Sequence, residues 1–367
     1  RDLVRSRGLG DVYKRQDDTM FSVGIIGASG YTGAELLRIC SKHPNFAVRT
    51  AVASSHAGTA ISDVHPHLSL EFPEMLFEGK DSAPLDECEV IFTGLPHGAS
   101  QKIIPELLET TKLIVDLGAD FRLKNAEIYR QWYEEDHMAP QLLDSASYGL
   151  PELFRDGLEN TSLVAAPGCY PTAASLALAP FMRAGVIESD EIIVDAASGV
   201  SGAGKTPQPS SLFCAVDENF AAYGLLSHRH TPEIEQALSI GANGNSIGSA
   251  SVLFTPHLAP MNRGILATCY GRVKGELNTD DALQILIDTY SDMPFIVVND
   301  KSPNTKSTFG SNAAHLTARV DPRTGLLVVF CAIDNLGKGA SGQAVQCANI
   351  VLGLDESDGL SAIGISP

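Results

Sequence analysis

The chain is poor in positive charge and has no long apolar run. Its 367 residues carry 26 lysines and arginines against 44 aspartates and glutamates, a formal net charge of −18. A nucleic-acid partner calls for a basic face, so this balance argues against one. No apolar stretch reaches the roughly 18 residues that a membrane span requires. We therefore expect neither a nucleic-acid partner nor a membrane segment.

Paired cysteines are also missing. Seven cysteines are scattered along the chain without any CxxC pair: Cys40, Cys88, Cys169, Cys214, Cys269, Cys331 and Cys347. An odd, dispersed set suits a reducing compartment and fits neither a disulfide framework nor a zinc site. We expect a cytoplasmic protein without a metal, in which most of these thiols are small buried hydrophobes.

The first 19 residues lack the features of a targeting segment. Arg1–Thr19 mixes both charges and contains no apolar core, so it does not resemble a signal peptide. Met20 is followed at once by a strand pattern. We interpret residues 1–19 as a non-native leader.

From residue 20 to about residue 166, short apolar runs alternate with helical stretches. The runs predicted to be strands are Phe21–Ile26, Val48–Ala53, Val90–Thr93 and Leu113–Leu117. The stretches predicted to be helices are Ala34–Ser41 and Ser100–Glu109. This alternation indicates an α/β fold, a doubly wound parallel sheet of the Rossmann type.

After residue 166 the pattern changes to longer β-rich stretches. The predicted strands are Glu191–Ala196, Ser249–Phe254, Ile265–Val273 and Leu326–Ile333, with a helix at Asp280–Tyr290. We expect a second, α+β domain with a mostly antiparallel sheet. The apolar stretch Gly339–Leu352 predicts a last helix that packs back on the first domain. The predicted division is 20–166 with 334–367, and 167–333.

A glycine-rich turn follows the first strand. It reads Gly27-Ala28-Ser29-Gly30-Tyr31-Thr32-Gly33. Glycines let a phosphate approach the backbone, and the helix that follows offers free N–H groups to a pyrophosphate. The other interpretation is an ordinary tight turn. The position between a strand and a helix favours a dinucleotide site, with Gly27, Ser29, Gly30, Tyr31, Thr32 and Gly33 as its residues.

The end of the second predicted strand indicates which dinucleotide binds. An NAD site usually places an acid about 20 residues after the glycines, to hold the ribose 2′-hydroxyl. Residues 51–56 read Ala-Val-Ala-Ser-Ser-His and contain no acid. Ser54 and Ser55 can donate hydrogen bonds to a 2′-phosphate, so we expect NADP rather than NAD. A polar strand end is the plainer alternative.

Cys169 is the candidate nucleophile. It lies in Ala166-Pro167-Gly168-Cys169-Tyr170-Pro171-Thr172, where Pro171 suits the first turn of a helix. A cysteine at a helix N-terminus has its thiolate stabilised by the helix dipole. We therefore expect a reactive thiol with a lowered pKa. The alternative is a buried structural cysteine, which is how we interpret the other six.

Histidines supply the acid–base partner. His228 and His230 precede a predicted helix that begins at Thr231-Pro232, and in an extended segment they would share one side. Glu233 is a candidate for fixing a histidine tautomer. Which histidine transfers the proton stays open. No third ligand lies at a spacing typical of a metal site.

A further segment matches the P-loop pattern. Gly199-Val200-Ser201-Gly202-Ala203-Gly204-Lys205-Thr206 follows a predicted strand, so a nucleoside-triphosphate enzyme is an alternative. A P-loop runs directly into a helix, whereas Pro207 and Pro209 follow here and would break one. We favour a flexible anion-binding loop whose N–H groups and Lys205 face an anionic substrate.

Taken in order, these segments resemble the N-acetyl-γ-glutamyl-phosphate reductase family from about Phe21 to about Gly353. The matching motifs are Gly-Ala-Ser-Gly-Tyr-Thr-Gly at 27–33, Leu-Pro-His-Gly at 95–98, Ala-Asp-Phe-Arg-Leu at 119–123, Pro-Gly-Cys-Tyr-Pro-Thr at 167–172, Ser-Gly-Val-Ser-Gly-Ala-Gly at 198–204, His-Arg-His-Thr-Pro-Glu-Ile at 228–234, Phe-Thr-Pro-His-Leu at 254–258 and Asp-Asn-Leu-Gly-Lys-Gly-Ala at 334–340. The family often has Arg where this chain has Lys205, which keeps the charge but loses the bidentate fork.

The resemblance implies a glyceraldehyde-3-phosphate-dehydrogenase-like catalytic domain and a homo-oligomer, either a dimer or a tetramer. It implies NADPH-dependent reduction of an acyl phosphate through a thioester on Cys169, within arginine biosynthesis. The remaining candidates are Pro96 and Asn335 for the cofactor, and Arg122, Ser198, Ser201, Gly202 and Lys205 for the substrate. A surface salt bridge is the alternative role for Arg122, and a turn-forming residue for Asn335.

Three other functions remain open at this point. Aspartate-semialdehyde dehydrogenase and a reductase of carrier-bound aminoadipyl phosphate belong to the same chemical class. A non-catalytic NADP-binding sensor belongs to a different one.

Overall fold

The computed structural model describes residues 20–241 and 244–366, so the expected leader, residues 1–19, lies outside the described residues. Two sheets organise this part of the chain. In the first, all strands are parallel and the order is β2-β1-β3-β4-β6-β5. The six strands are β1 Phe21–Ile26, β2 Phe46–Val52, β3 Val90–Thr93, β4 Leu113–Asp116, β5 Ser147–Tyr148 and β6 Leu163–Ala165. The expected doubly wound parallel sheet is confirmed.

Five helices accompany the first sheet. They are α1 Tyr31–Cys40, α2 Ile61–Val64, α3 Ile104–Leu107, α4 Ala126–Tyr133 and α5 Pro151–Phe154. The predicted helix at Ser100–Glu109 was wrong in extent. A 3₁₀ turn at Ser100–Lys102 comes first, and only α3 is α-helical. Pro105 lacks an N–H and is disfavoured within a helix interior, so the helical segment begins just before it.

The second sheet is mixed, with the order β11-β12-β13-β10-β7-β9-β8. Its strands are β7 Ile192–Gly199, β8 Ala221–Ala222, β9 Val252–Ala259, β10 Ile265–Arg272, β11 Ile296–Val298, β12 Ala314–Asp321 and β13 Leu326–Ile333. Four of the six neighbouring pairs are antiparallel, as expected, and the pairs β7–β9 and β11–β12 are parallel. The sequence patterns did not predict β12, a full eight-residue strand that pairs with β13 along its whole length.

Five further helices belong to this half. They are α6 Cys169–Arg183, α7 Phe213–Val216, α8 Thr231–Leu238, α9 Thr279–Tyr290 and α10 Thr305–Thr308. Helix α6 is buried along almost its whole length, against β10, β13 and α8. Its first residue, Cys169, therefore lies at the edge of the core that covers one face of the second sheet.

The chain returns to the first sheet through α11, Gly342–Leu352, which follows a π-helical turn at Gly337–Ser341. Helix α11 packs against α1 and β4, as the sequence predicted. Ala344 and Val345 share a buried cluster with Val23 and Ile25 of β1. Residues from the end of the chain thus complete the core begun by its first strand.

Short 3₁₀ turns connect several elements. They lie at Ser54–His56, Pro66–Leu68, Leu85–Glu87, Ser100–Lys102, Pro140–Leu142, Arg155–Leu158, Val200–Ala203 and Pro209–Ser211. Within the described part of the chain, no helix has both the length and the apolar character needed to cross a bilayer.

Candidate active site

Cys169 is the first residue of α6, and Gly168 is its N-cap. A Cβ on Gly168 would lie 2.5 Å from Nε2 of His230 and 2.9 Å from Nη1 of Arg122. Because Gly168 has no side chain, the imidazole of His230 and the guanidinium of Arg122 can both approach the backbone beside the nucleophile. The structure therefore brings together three residues that are far apart in sequence.

Two cavities meet at this cysteine. The first has a volume of about 1340 Å³ and extends from the glycine turn to Cys169. The second, of about 680 Å³, extends from Cys169 toward Tyr223. Cys169, Gly202, Ala203 and His230 line both cavities. The candidate nucleophile and its candidate acid–base partner thus form part of the wall between the two spaces.

The glycine turn has the geometry of a dinucleotide site. Gly27 has φ +84°, and a Cβ there would lie 2.3 Å from the carbonyl oxygen of Gly94. A Cβ on Gly33 would lie 2.5 Å from Cα of Ala28. Gly30 caps α1 without a side-chain hydrogen bond, so no cap side chain competes for the first N–H groups of the helix.

The charge of the first cavity is opposite in sign to that of the whole chain. The described residues that line it include no aspartate or glutamate, although the whole chain carries −18. Four cations line it: Lys80, Lys102, Arg122 and Lys205. Concentrating positive charge in one cleft of an acidic protein favours a polyanionic ligand. The residues present therefore fit a phosphorylated dinucleotide.

Most of the expected cofactor residues lie on this cavity. Its lining includes Gly27, Ser29, Gly30, Tyr31, Thr32, Ser54, Ser55, Pro96 and Asn335. Gly33 does not line it and instead allows α1 to pack closely on the turn. The side chain of Asn335 is already engaged: its Oδ1 accepts from the N–H of Gly264 at 2.7 Å, and its Nδ2 donates to Oγ of Ser201 at 2.9 Å. This contact differs from the expected one with a nicotinamide.

The thiol of Cys169 differs from the sequence prediction. Burial raises its pKa to about 11, although the Arg122 guanidinium and the N–H of Tyr170 act in the opposite direction. The expectation of a lowered pKa at a helix N-terminus considered the dipole and not the loss of solvent. In this state the residue is a thiol, so it requires a base.

The histidines are available for that role in their neutral form, although a lowered pKa makes an imidazole a weaker base. Burial lowers the pKa of His230 well below its usual range, with His228 and Arg122 acting in the same direction. Burial also lowers the pKa of His228 to about 4. Both imidazoles are therefore neutral near pH 7. Their ring centroids lie 4.8 Å apart. The backbone between them forms a turn and not the extended segment that was expected.

Glu233 has different partners from those predicted. Its Oε1 accepts from the N–H of Gly168 at 2.8 Å and from the hydroxyl of Tyr148 at 2.9 Å. Neither histidine is among its hydrogen-bond partners. The carboxylate therefore fixes the backbone that precedes Cys169 and does not set a histidine tautomer.

Arg122 is also placed differently. Its Nε donates to the carbonyl of Ala166 at 2.9 Å, its Nη2 to the carbonyl of Leu117 at 2.7 Å, and its Nη1 lies 3.4 Å from Glu233. Three of its five N–H donors are thus committed to the protein, so the expected grip on a phosphate would have to use the remaining N–H of Nη1 and of Nη2. The guanidinium also provides a fixed positive charge near the thiol.

The P-loop-like segment forms a wall of the first cavity. Ser201, Gly202 and Lys205 line it, whereas Ser198 faces the second cavity. Gly204 has φ +82°, and no helix follows directly, as the prolines predicted. The Nζ of Lys205 lies 3.1 Å from the carbonyl oxygen of Ser29 in the glycine turn. The lysine expected at the substrate thus reaches the nucleotide side.

Sequence reasoning missed several residues of the site. Lys80 and Lys102 lie in segments without a recognisable motif, and only the fold brings them to the first cavity. Tyr148 reaches Glu233 across 85 residues of sequence. Arg229 lines the second cavity. In the sequence, its position between His228 and His230 was the signal that Arg229 belongs to the site.

Family relationships are clear along nearly the whole chain. Residues 22–161 match the family described as semialdehyde dehydrogenase, NAD binding domain, and residues 169–335 match semialdehyde dehydrogenase, dimerisation domain. The N-acetyl-γ-glutamyl-phosphate reductase of Acetivibrio thermocellus is 45% identical over 94% of this chain and 99% of its own length. The enzyme of the same name from Symbiobacterium thermophilum is 46% identical over 93% of this chain and 98% of its own.

Solved structures show the same architecture at low sequence identity. An aspartate semialdehyde dehydrogenase from Vibrio cholerae has a TM-score of 0.68 at 15% identity, over 91% of this chain and 98% of that chain. One from Candida albicans, solved with NADP, has a TM-score of 0.68 at 17% identity over the same shares. At this identity the likeness concerns the fold alone. The close sequence relatives decide the family, and the chain belongs to the N-acetyl-γ-glutamyl-phosphate reductases.

Proposed function

We propose that this protein catalyses the NADPH-dependent reduction of N-acetyl-γ-glutamyl phosphate to N-acetylglutamate 5-semialdehyde and phosphate, within arginine biosynthesis. The observation that carries the proposal is the position of Cys169 and His230 on the wall between two cavities. One cavity suits a dinucleotide and the other a small acyl substrate. The names of relatives about 45% identical over most of the chain supply the substrate.

NADP is the cofactor that the first cavity suits best. The glycine turn would hold its pyrophosphate, and Ser54 and Ser55 lie where a 2′-phosphate is expected. The absence of a lining acid among the described residues removes a source of repulsion for that phosphate. When bound, NADPH supplies the hydride that reduces the acyl group.

The protein's own residues perform the acyl transfer. Neutral His230 takes the thiol proton of Cys169, and the sulfur attacks the γ-acyl carbon. The carbon–oxygen bond to phosphate breaks, and phosphate leaves with the electron pair, so a thioester forms on Cys169. Free N–H groups at the start of α6 stabilise the oxyanion of the tetrahedral intermediate. Once the acyl group has been reduced, the carbon–sulfur bond breaks and the aldehyde leaves. The imidazolium of His230 then returns its proton to the sulfur of Cys169; His228, beside it, is the alternative donor.

Arg122 and Glu233 act indirectly. The charge of Arg122 favours the thiolate as it forms, and Glu233 holds the Gly168 backbone in position. Ser198, Ser201, Gly202 and Lys205 would enclose the substrate and the cofactor phosphates. These are proposed roles, and the contacts described above support them.

A direct assay tests the function. N-acetyl-γ-glutamyl phosphate generated in situ should drive NADPH oxidation, while aspartyl phosphate should support at most a small fraction of that rate. Cys169→Ser should reduce turnover by at least about 10³-fold and leave NADPH affinity unchanged. Normal turnover in purified Cys169→Ser, or equal use of aspartyl phosphate, would refute the proposal. NADPH binding without turnover in the wild type would favour a sensor.

We also propose that the protein forms a homo-oligomer, a dimer or a tetramer. The matched dimerisation domain includes several apolar side chains that are exposed in the single chain: Leu212, Phe213, Phe220, Leu225 and Leu226. Exposed apolar patches often mark protein contacts. Sedimentation at micromolar concentration should show at least a dimer, and Phe213→Asp with Leu226→Asp should shift it toward monomer. A monomeric wild type would contradict the proposal.

Two further proposals concern organisation and location. The two buried clusters, one under each sheet, support a division into 20–166 with 334–367, and 167–333, although Tyr148, Leu150 and Leu153 pack in the cluster of the second sheet. All seven cysteines are free, which supports a cytoplasmic location.

A further inference from the structure

The second cavity has an unusual set of charges. Its wall combines small apolar residues such as Ala215, Ala222 and Leu258 with the hydroxyls of Tyr170 and Tyr223. No aspartate or glutamate is among the described residues that line it. A ligand held there finds hydrogen-bond partners and apolar contacts but no negative charge.

Arg229 supplies the one permanent positive charge among the described residues of that wall. Its guanidinium lies over the ring of Tyr133 at 5.1 Å, and its Nη1 is 3.3 Å from Nδ1 of His97. None of the ion pairs found in residues 20–241 and 244–366 involves Arg229. Within the described residues, Nε and Nη2 of Arg229 have no hydrogen-bond partner, so the edge of the guanidinium away from His97 is free to bind a ligand.

We propose that Arg229 is the specificity-determining residue that binds the substrate α-carboxylate, and that the acid-free wall of the second cavity selects an amide-capped α-nitrogen over a free ammonium. The inference rests on the proposed function and names the groups of the substrate that this cavity recognises. Bidentate pairing with a carboxylate gives both strength and a fixed orientation.

The selection against a free amine follows from charge. An α-ammonium entering this cavity loses part of its hydration, meets no carboxylate and lies near the positive charge of Arg229. An N-acyl amide carries no charge, and its N–H can donate to the hydroxyl oxygen of Tyr223, whose own hydrogen is donated to the hydroxyl of Tyr170. A site that lacks the partner of a charged group rejects it strongly, more than a pocket rejects an extra methylene.

Arg229 is adjacent in the chain to His230, so binding of the substrate carboxylate and the proton transfer take place close together. It lies between His228 and His230, in the turn whose next element, α8, carries Glu233. A carboxylate held by Arg229 therefore fixes one end of the substrate relative to the imidazole that faces Cys169. The acyl end is then directed toward the wall that the two cavities share.

The first experiment compares a charged and an uncharged substrate in the reverse direction. NADPH formation is measured with phosphate, NADP⁺ and either N-acetylglutamate 5-semialdehyde or its α-carboxamide. Wild type should prefer the carboxylate by about 10- to 100-fold in kcat/KM. Arg229→Gln should abolish that preference by raising KM for the carboxylate, while activity on the carboxamide stays within about threefold. Arg229→Lys should retain an intermediate preference.

The control is Arg130→Gln, because Arg130 is an exposed arginine that lines neither cavity and should leave both substrates unaffected. An equal loss on both substrates in Arg229→Gln would indicate a structural role and overturn the proposal. A preference that survives Arg229→Gln would also overturn it. Both outcomes require an active wild type, whereas an inactive wild type would refute the proposed function instead.

The second experiment isolates the amine. Aspartate semialdehyde and N-acetylaspartate semialdehyde have the same chain length and differ only in the acyl group on the α-nitrogen. Any difference in their use therefore reports on that group. Wild type should prefer the acylated aldehyde by at least about 100-fold in kcat/KM. Equal use of the two compounds would refute selection by the acid-free wall.

Discussion

The pKa of the Cys169 thiol depends on burial and on two nearby charges, Arg122 and Glu233, that act in opposite directions. Burial raises the pKa of its thiol to about 11, Arg122 lowers it, and Glu233 raises it. At neutral pH the sulfur is therefore protonated, and a base must remove this proton before the sulfur can attack the substrate. This arrangement limits side reactions of the thiol in the absence of substrate, because the thiolate is the nucleophilic form.

Alkylation of the thiol tests this balance. Iodoacetamide should modify Cys169 slowly at pH 7, and the rate should rise with pH up to about pH 11, since only the thiolate reacts. Glu233→Gln removes a negative charge near the sulfur, so it should lower the pKa and speed alkylation at pH 8 by roughly 2- to 10-fold.

The rate must be followed on the Cys169 peptide by mass spectrometry, because the exposed Cys214 also reacts and serves as an internal reference. Rapid modification of Cys169 at pH 7 in the unliganded protein would contradict the burial argument. A slower reaction in Glu233→Gln would show that the carboxylate acts mainly through the backbone it holds.

The sequence can predict a site residue when a local motif contains it, and cannot predict its contacts when they are distant in the chain. Cys169 and His230 could be predicted because Cys169 begins one helix and His230 directly precedes another, and each helix has a proline in its first turn. Glu233 could be named, but the histidine predicted as its partner differs from its partners in the structure, because its contacts with Gly168 and Tyr148 span 65 and 85 residues of chain. The pKa of the thiol depends on burial, which no local motif reports.

At the level of elements, the π-helical turn before α11 supports the nucleophile. A Cβ on Gly339 would lie 2.8 Å from Cβ of Cys169, so the turn packs directly against it. Lys338, fully buried, anchors this turn through Oε1 of Glu152 at 2.6 Å and Oε1 of Gln346 at 2.7 Å. Two buried charges therefore hold the segment that backs the active cysteine.

Removing one of these charges should be costly. Lys338→Met leaves the Glu152 carboxylate buried without its partner, which should lower the free energy of unfolding by about 3–5 kcal/mol. Replacing both, with Lys338→Met and Glu152→Leu, should cost less than the single change because no lone charge remains. Urea unfolding followed by circular dichroism measures both. A single variant as stable as the wild type would show that the pair contributes little.

The sequence predicted strands correctly where apolar residues fill most of the strand. β1, β3 and β13 were predicted at the residues where they occur, since each is rich in apolar residues; β13 is apolar throughout, and β1 is interrupted only by Ser22 and Gly24. Strand β12 was missed because His315 and Arg319 interrupt its apolar pattern. It is a strand because β11 and β13 flank it on both sides, a tertiary effect that local propensity does not contain.

On the scale of the whole molecule, an ion-pair cluster joins the two halves. Arg263, which follows β9, donates to Glu35 in α1 and to Asp334 after β13, each at 2.9 Å. Burial opposes ionisation of Glu35, but hydrogen bonds from Arg38 and Arg263 prevail and hold its pKa at about 2, against 4.5 for an ordinary glutamate.

Stability in acid should reflect this cluster. A carboxyl with a lowered folded-state pKa contributes stability above pH 4.5 and loses it as pH falls toward 2. Glu35→Gln should therefore lower the free energy of unfolding at pH 7 by up to about 3 kcal/mol, and the difference from wild type should shrink between pH 4.5 and pH 2. Urea midpoints across this range measure it. A difference that does not change with pH would contradict the assignment.

The route of the chain through α11 has a consequence for biosynthesis. The core beneath the first sheet includes Ala344 and Val345 as well as β1, so its apolar face stays incomplete until residues 344–345 have left the ribosome. A nascent polypeptide that already contains all of its parallel strands still exposes the surface that α11 will cover. Chaperone binding should therefore persist late in translation, and truncation before Gly342 should yield an insoluble product.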